Sequence, residues 1–336
     1  MEISIVDQTM IRAGQTAGEA LSETVELAQL ADDAGFSRFW LTEHHNMPVI
    51  GSSTPEILIA KVAESTTRIR VGSGGIMFPN HSPLKVAECF RLLEALYPGR
   101  IDLGLGRAAG TDPYTAKILN PSNEFKEEDF PRKVDELQAF LADAAMTQRG
   151  SVIACPRIET MPQQWILTGG ANASLAARWG LGLSLPHFIQ EVKSTQGVEQ
   201  YRTEFSPSSS FPESRVSMGL FVICSENEER AQLLKKAIQI TFVNMALYGR
   251  FQSVPSVELA QKHEFNQQEQ AFLSMQESKY ISGTPDRVKE KLEWYRNQFD
   301  LDEVLAMMMA DDFQDRKDSY RLLAEAYNTA HAKLKV

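Results

Sequence analysis

VGSGGIMFPNHSPLKVAECFRLLEALYPGRIDLGLGRAAGTDP, residues 71–113, holds one complete unit of the chain's architecture. It begins in a β-rich run over Ile69–Gly74. A helical stretch follows, with Val86, Phe90, Leu93 and Tyr97 on one face at three- and four-residue spacing, and a second apolar run covers Ile101–Leu105. Strand, amphipathic helix and strand in that order predict two parallel strands joined by a helix that packs on them.

Working outward, the same rhythm repeats. Further strands are predicted over Ile3–Asp7, Ser37–Thr42, Trp165–Thr168, Gly182–Leu185, Val216–Cys224 and Glu303–Met309, and Leu21, Val25 and Ala28 share a helix face between the first two. Eight strands alternating with helices in 336 residues predict one (β/α)8 TIM barrel spanning residues 1–336, since that fold needs about 250 residues before insertions. Two long stretches break the rhythm, Arg107–Pro131 and the Gln- and Glu-rich Leu247–Ile281. Each follows a strand, so both are expected as insertion loops at the C-terminal face, the second as a lid.

Composition narrows the function. A net charge of −10 disfavours partners with phosphate backbones or anionic lipid, so neither nucleic acid nor a membrane is expected. The start, MEISIVDQTM, lacks a basic segment followed by an apolar core, and no apolar run approaches the roughly 20 residues of a spanning helix; a cytoplasmic protein is expected. Cys89, Cys155 and Cys224 are odd in number and widely spaced, which suggests buried thiols rather than disulfides or a zinc ribbon.

Four segments end strands with residues able to carry chemistry. Glu43-His44-His45 closes the second strand, where an imidazole would enter a barrel's mouth as general acid or base; alternation lets only one of the two histidines face a pocket. A hydrogen-bonded strand-end histidine is the bland alternative, and a Glu-His-His metal site lacks the further ligands to complete it. Ser73-Gly74-Gly75 removes Cβ atoms where a flat ring could approach, and a plain strand-to-loop turn explains such glycines equally well. Arg107 follows the fourth strand, suited to forked bonding of phosphate or to a surface ion pair. The nearby spacing Gly104-x-Gly106-x-x-x-Gly110 is wrong for a dinucleotide fingerprint. Thr168-Gly169-Gly170-Ala171-Asn172 leads into a helix and offers either an anion site at its N-terminus or a turn capped by Asn172.

Taken together, WLTEHHNMP (40–48), the 71–113 block, WILTGGANASLAARWGLGL (165–183) and ISGTPDRVKEKLEWY (281–295) resemble the bacterial luciferase-like flavin monooxygenases, in collinear order over nearly the whole chain. That resemblance implies an enzyme using reduced FMN, supplied by a separate flavin reductase, with O2 and a small organic substrate. It implies proton transfer at His44 flanked by Glu43 and His45, and a non-prolyl cis peptide at Gly74–Gly75 beneath the flavin. Phosphate contacts would come from Arg107, Arg132, Thr168, Gly169, Gly170 and Asn172. Where many relatives carry hydroxyls, Gly169 and Asn172 would leave more of the phosphate's binding to backbone N–H groups. Gly106 stands where light-emitting members have a reactive cysteine, so light emission is not expected. A homodimer through Thr54–Val62 and Pro83–Tyr97 is also implied. The alternatives are an F420-dependent hydride-transfer enzyme of the same superfamily, a flavin-binding barrel without turnover, and a metal-dependent hydrolase.

Overall fold

The computed structural model describes residues 1–120, 126–148 and 150–327. Eight parallel strands close into a ring: β1 Glu2–Asp7, β2 Arg38–Leu41, β3 Arg70–Met77, β4 Ile101–Gly106, β5 Gln163–Leu167, β6 Gly182–Leu185, β7 Val216–Cys224 and β8 Glu303–Met307. Each pairs with the next, and β8 returns to β1 through Glu2↔Glu303 to Ile5↔Ala306. This is the TIM barrel, and all eight strands lie where the sequence predicts them, with ends displaced by at most three residues. Parallel barrel strands are covered on both sides, which is why β2, β4, β6, β7 and β8 are buried along their whole length and are mainly apolar.

The helices start where the sequence supplies the chemistry. Thr16 and Glu19 form a reciprocal capping box at the head of helix Ala17–Ala34, and proline stands in the first turn of Pro55–Glu64, Pro83–Leu96, Pro113–Leu119 and Pro285–Phe299.

The N-terminal end of the ring is closed by charge. Arg38 donates to Asp102 at 2.8 Å and to Glu303 at 3.0 Å, and Trp40 Nε1 donates to Asp102 at 3.0 Å. β2, β4 and β8 are not neighbours, so these contacts cross the barrel interior. The two carboxylates are fully buried, and the guanidinium also lies over the Trp165 ring at 4.8 Å. Access to the interior is left at the C-terminal end.

Three expectations need correction. Leu247–Ile281 is not an irregular loop: it carries helices Val257–Lys262 and Gln267–Ser274, and its last residues begin a ninth strand, Tyr280–Gly283, that pairs with the outer half of β7. The second helix has its own start signal, a capping box between Asn266 and Glu269. Likewise Arg107–Pro131 contains helix Pro113–Leu119 and the turn Glu127–Asp129, while residues 121–125 lie outside the described residues. Of the thiols, Cys224 is buried but Cys155 is exposed. Among the described residues no helix is long and apolar enough to cross a membrane.

Candidate active site

A cavity of about 400 Å³ opens at the C-terminal ends of the strands, within the size range of small-molecule sites. Its walls come from the ends of β1, β2, β6, β7 and β8 and from the helix after β7, with Met10, Phe188, Phe221, Phe242, Met245 and Met309 supplying much of the apolar surface. Six further lining residues, Arg250, Phe251, Gln252, Phe272, Gln276 and Lys279, come from the Leu247–Ile281 segment. The segment therefore covers the cavity, as a lid would.

His44 lines this cavity and His45 does not; both lie in the loop just past the end of β2. The His44 Nδ1 is buried without a partner in the protein. Burial lowers the pKa of His44, against the smaller opposing pulls of the Gly110 carbonyl and the Glu43 charge, so its ring is neutral at neutral pH. A neutral imidazole with an uncommitted nitrogen on a largely apolar cavity can accept a proton and return it.

His45 turns instead to Glu43. That carboxylate is fully buried and its Oε1 meets His45 Nε2 and His81 Nε2, each at 2.7 Å, while Oε2 accepts the Met77 amide at 2.7 Å. Burial alone would raise the Glu43 pKa; the bonds from His45 and His81, the His81 charge and the Met77 amide overcome it and hold the carboxyl at about 2. For His81, burial acts downward and the Glu43 carboxylate outweighs it, raising the pKa. Glu43 is thus an ionised tie between the ends of β2 and β3. His81, 38 residues away in sequence, had no local signal to mark it.

The peptide between Gly74 and Gly75 is cis, and the β3–β4 register shifts between Ser73 and Ile76. Protein fills the space beside these glycines: a Cβ on Gly74 would lie 2.9 Å from the Trp40 ring, and one on Gly75 2.7 Å from the Gly104 carbonyl. Ser73 is fully buried, its hydroxyl donating to the Gly104 carbonyl and accepting the Gly104 amide, both at 3.0 Å. Its polar atom stitches β3 to β4. Neither it nor the two glycines line the cavity.

Arg107 is half-buried where β4 ends. Because Gly106 pairs with Leu167, Arg107 and Thr168 leave adjacent strands side by side. In the loop that follows, Gly169 is exposed with only the Gln190 side chain near, Gly170 has φ +116°, and the Thr168 hydroxyl accepts the Asn172 amide at 3.4 Å. Asn172 stands at the N-cap of Ala173–Arg178 but makes no side-chain cap, and its Nδ2 is buried without a partner. A capping turn alone leaves that amide unexplained; an acceptor from a ligand would satisfy it. Gln190 beside Gly169 follows Phe188 and Ile189 of the cavity wall, which links this rim to the cavity. Arg132 is exposed and paired with Asp129 and Glu136 near the start of its helix. Its neighbour Lys133 is the cation that reaches the loop after β3, donating to the carbonyls of Pro79 and His81 at 3.0 and 3.1 Å.

Among the described residues no three His, Cys, Asp or Glu side chains are grouped to hold a metal ion. Comparison with known proteins places these features in a family. Residues 1–300 match the family described as luciferase-like monooxygenase. The chain is 38% identical to the uncharacterized protein YwcH of Bacillus subtilis (strain 168), over 97% of this chain and 99% of YwcH. Its fold superposes on the crystal structure of apo-MsnO8 with a TM-score of 0.85 at 34% identity, covering 97% of this chain and 98% of that one. Two less similar structures share the fold. They are the FMN complex of the oxygenating constituent of 3,6-diketocamphane monooxygenase, at TM-score 0.71 and 16% identity over 98% of both chains, and an F420-dependent secondary alcohol dehydrogenase, at 0.64 and 13% over 97% and 98%. The chain belongs to the luciferase-like monooxygenase family.

Proposed function

We propose that the protein is a flavin-dependent monooxygenase that uses reduced FMN and O2 to oxidise a small organic substrate. The observation that carries this reading is His44: a neutral imidazole with a buried, unpartnered Nδ1 on the wall of a cavity at the catalytic end that combines apolar walls with a covering segment. Reduced flavin would supply the electrons that activate O2. The chain's own residues would do the rest. Arg107, Thr168, Gly169, Gly170 and Asn172 would hold the phosphate, the Gly74–Gly75 segment would back the ring, and His44 would move the proton. The Leu247–Ile281 segment would keep water out.

Arg132 contributes to phosphate binding in this reading only by leaving its pairs with Asp129 and Glu136. A separate reductase is the proposed source of reduced flavin. A homodimer is proposed through helices Pro55–Glu64 and Pro83–Leu96, whose Ile57, Leu92 and Leu96 are 73%, 52% and 57% exposed; light scattering would report a single-chain mass if it is wrong.

The cofactor is tested by anaerobic titration of the protein with reduced FMN and, in parallel, F420. Tighter binding of reduced FMN, followed by O2 uptake that rises with candidate substrates and a reductase, supports the proposal. Preference for F420 would move the assignment to hydride transfer.

A further inference from the structure

The cavity's charge is out of keeping with the chain's. The protein has 44 acidic against 34 basic side chains, yet the cavity is lined by two cations, Arg250 and Lys279, and by no Asp or Glu. Lys279 is only 7% exposed; its ammonium donates to the carbonyl of Ile189, also a lining residue, at 2.5 Å, and it makes no ion pair with a described residue. The carboxylate with most influence on it, Glu191, is outside the lining and is bonded by the Ser278 hydroxyl at 2.7 Å and paired with Lys193 at 3.5 Å. Burial of Lys279 lowers its pKa, the mark of an ammonium short of counter-charge. Arg250 stands at the exposed mouth, just past the helix Glu228–Tyr248, with its guanidinium 5.6 Å from the Tyr248 ring and no ion pair among the described residues. The remaining wall is mainly Phe, Met, Val and Ile, with Gln8, Thr241, Gln252 and Gln276 as neutral polar groups.

A buried ammonium without a carboxylate partner is costly, and an anion that enters with an apolar body answers both the charge and the wall. We infer that this cavity binds a small amphipathic organic anion, its acid group on Lys279 and Arg250 and its apolar body against Phe221, Phe242 and Met309, reaching toward His44. This inference rests on the reading of the cavity as the reaction site and adds the substrate's chemical class to it.

The first comparison needs no flavin. Octanoate and octan-1-ol, equal in chain length and different in charge, are titrated into the full-length protein by calorimetry. Octanoate is expected to bind at least about tenfold more tightly, the effect of a charge-assisted bond in a dry site. Lys279→Met keeps the apolar stem and should bring that ratio close to one while changing octan-1-ol affinity by less than about twofold. Arg250→Gln, at the exposed mouth where folding is not at risk, should lower the ratio several-fold. Equal binding of acid and alcohol by the parent, or a ratio unmoved in both variants, overturns the inference. So does a loss of reduced FMN affinity in the variants as large as the loss for octanoate, since the cations would then serve the flavin. Selective octanoate binding in a protein that takes up neither reduced FMN nor F420 would uphold the inference and sink the flavoenzyme reading alone.

Discussion

Glu43→Gln isolates one charge at the centre of the candidate site. The substitution keeps the side chain's shape and leaves His45, His81 and the Met77 amide without their shared anion. A carboxyl held at about 2 against an ordinary 4.5 is stabilised in the folded state by about 3 kcal/mol. Because the folded pKa is depressed, this contribution is present in full above pH 4.5 and disappears as pH falls toward 2. His81 is shifted the opposite way, so the stability it gains is present below its ordinary 6.5 and is lost as pH rises through its higher folded value. Both are views of one contact and are not added.

The difference between parent and variant should therefore be greatest between pH 4.5 and 6.5 and shrink on either side. Urea unfolding followed by tryptophan fluorescence measures it, and a histidine NMR titration supplies the independent readout. In the variant, burial of His81 is no longer opposed by Glu43, so its pKa should drop. A difference under about 1 kcal/mol in that window, the size of an exposed pair, would refute the reasoning, as would an unmoved His81 titration.

Three further outcomes follow from the structure. His44→Ala should leave reduced FMN affinity unchanged and lower turnover about 100-fold; stopped-flow kinetics that show unchanged turnover would remove the proton-transfer role. Gly72→Ala would put a Cβ 2.3 Å from the Asp102 carbonyl, where backbone cannot yield, and should cost about 1–3 kcal/mol or more, whereas Gly169→Ala meets nothing nearer than Gln190 at 3.7 Å and should melt like the parent. Arg38→Met would leave Glu303 with the more distant Arg215 at 3.9 Å as its paired cation, while Asp102 keeps Arg70 at 2.7 Å, and should cost about 3–5 kcal/mol, with partial recovery when Glu303→Gln is added; a melting point within error of the parent would contradict the network's role.

The strands were legible because burial on both faces writes itself into consecutive residues, as in Arg38–Leu41 and Val216–Cys224. His44 was legible for a related reason: a strand's end is a local property. The covering segment was legible by position but not by content, since its helices are short and rich in Gln and Glu and carry few apolar residues to reveal a period; the Asn266–Glu269 cap was the available signal. Gly74 and Gly75 were open to two readings, and the neighbours a Cβ on either would meet, Trp40 and Gly104, are on other strands that no local pattern links to them. Most of the cavity could not be read at all. Phe188, Phe221, Phe242 and Lys279 meet only because β6, β7, the following helix and a turn before the ninth strand converge, and no spacing in the sequence encodes that convergence. The pairing of Glu43 with His81 is equally non-local.

The central ion network at the N-terminal end of the barrel and the loops at its C-terminal end treat polar groups differently, although Trp165 Nε1 and Ser217 Oγ, on strands beside that network, are also buried without a partner. At the N-terminal end Ser4, Arg38, Trp40, Asp102 and Glu303 bond one another, and none of their side-chain atoms is left buried without a partner. Charge there is fully spent on closing the ring. At the C-terminal end Glu43 is satisfied, but Thr42 Oγ1, His44 Nδ1, Asn80 Oδ1, Asn172 Nδ2 and His187 Nε2, all on loops that follow strands, are buried with no protein partner. Each such atom destabilises the fold by about 1–3 kcal/mol unless something outside the chain bonds it. If a ligand binds at this rim as proposed, His44 and Asn172 are among the residues it would complete, and it would then contribute stability as well as chemistry.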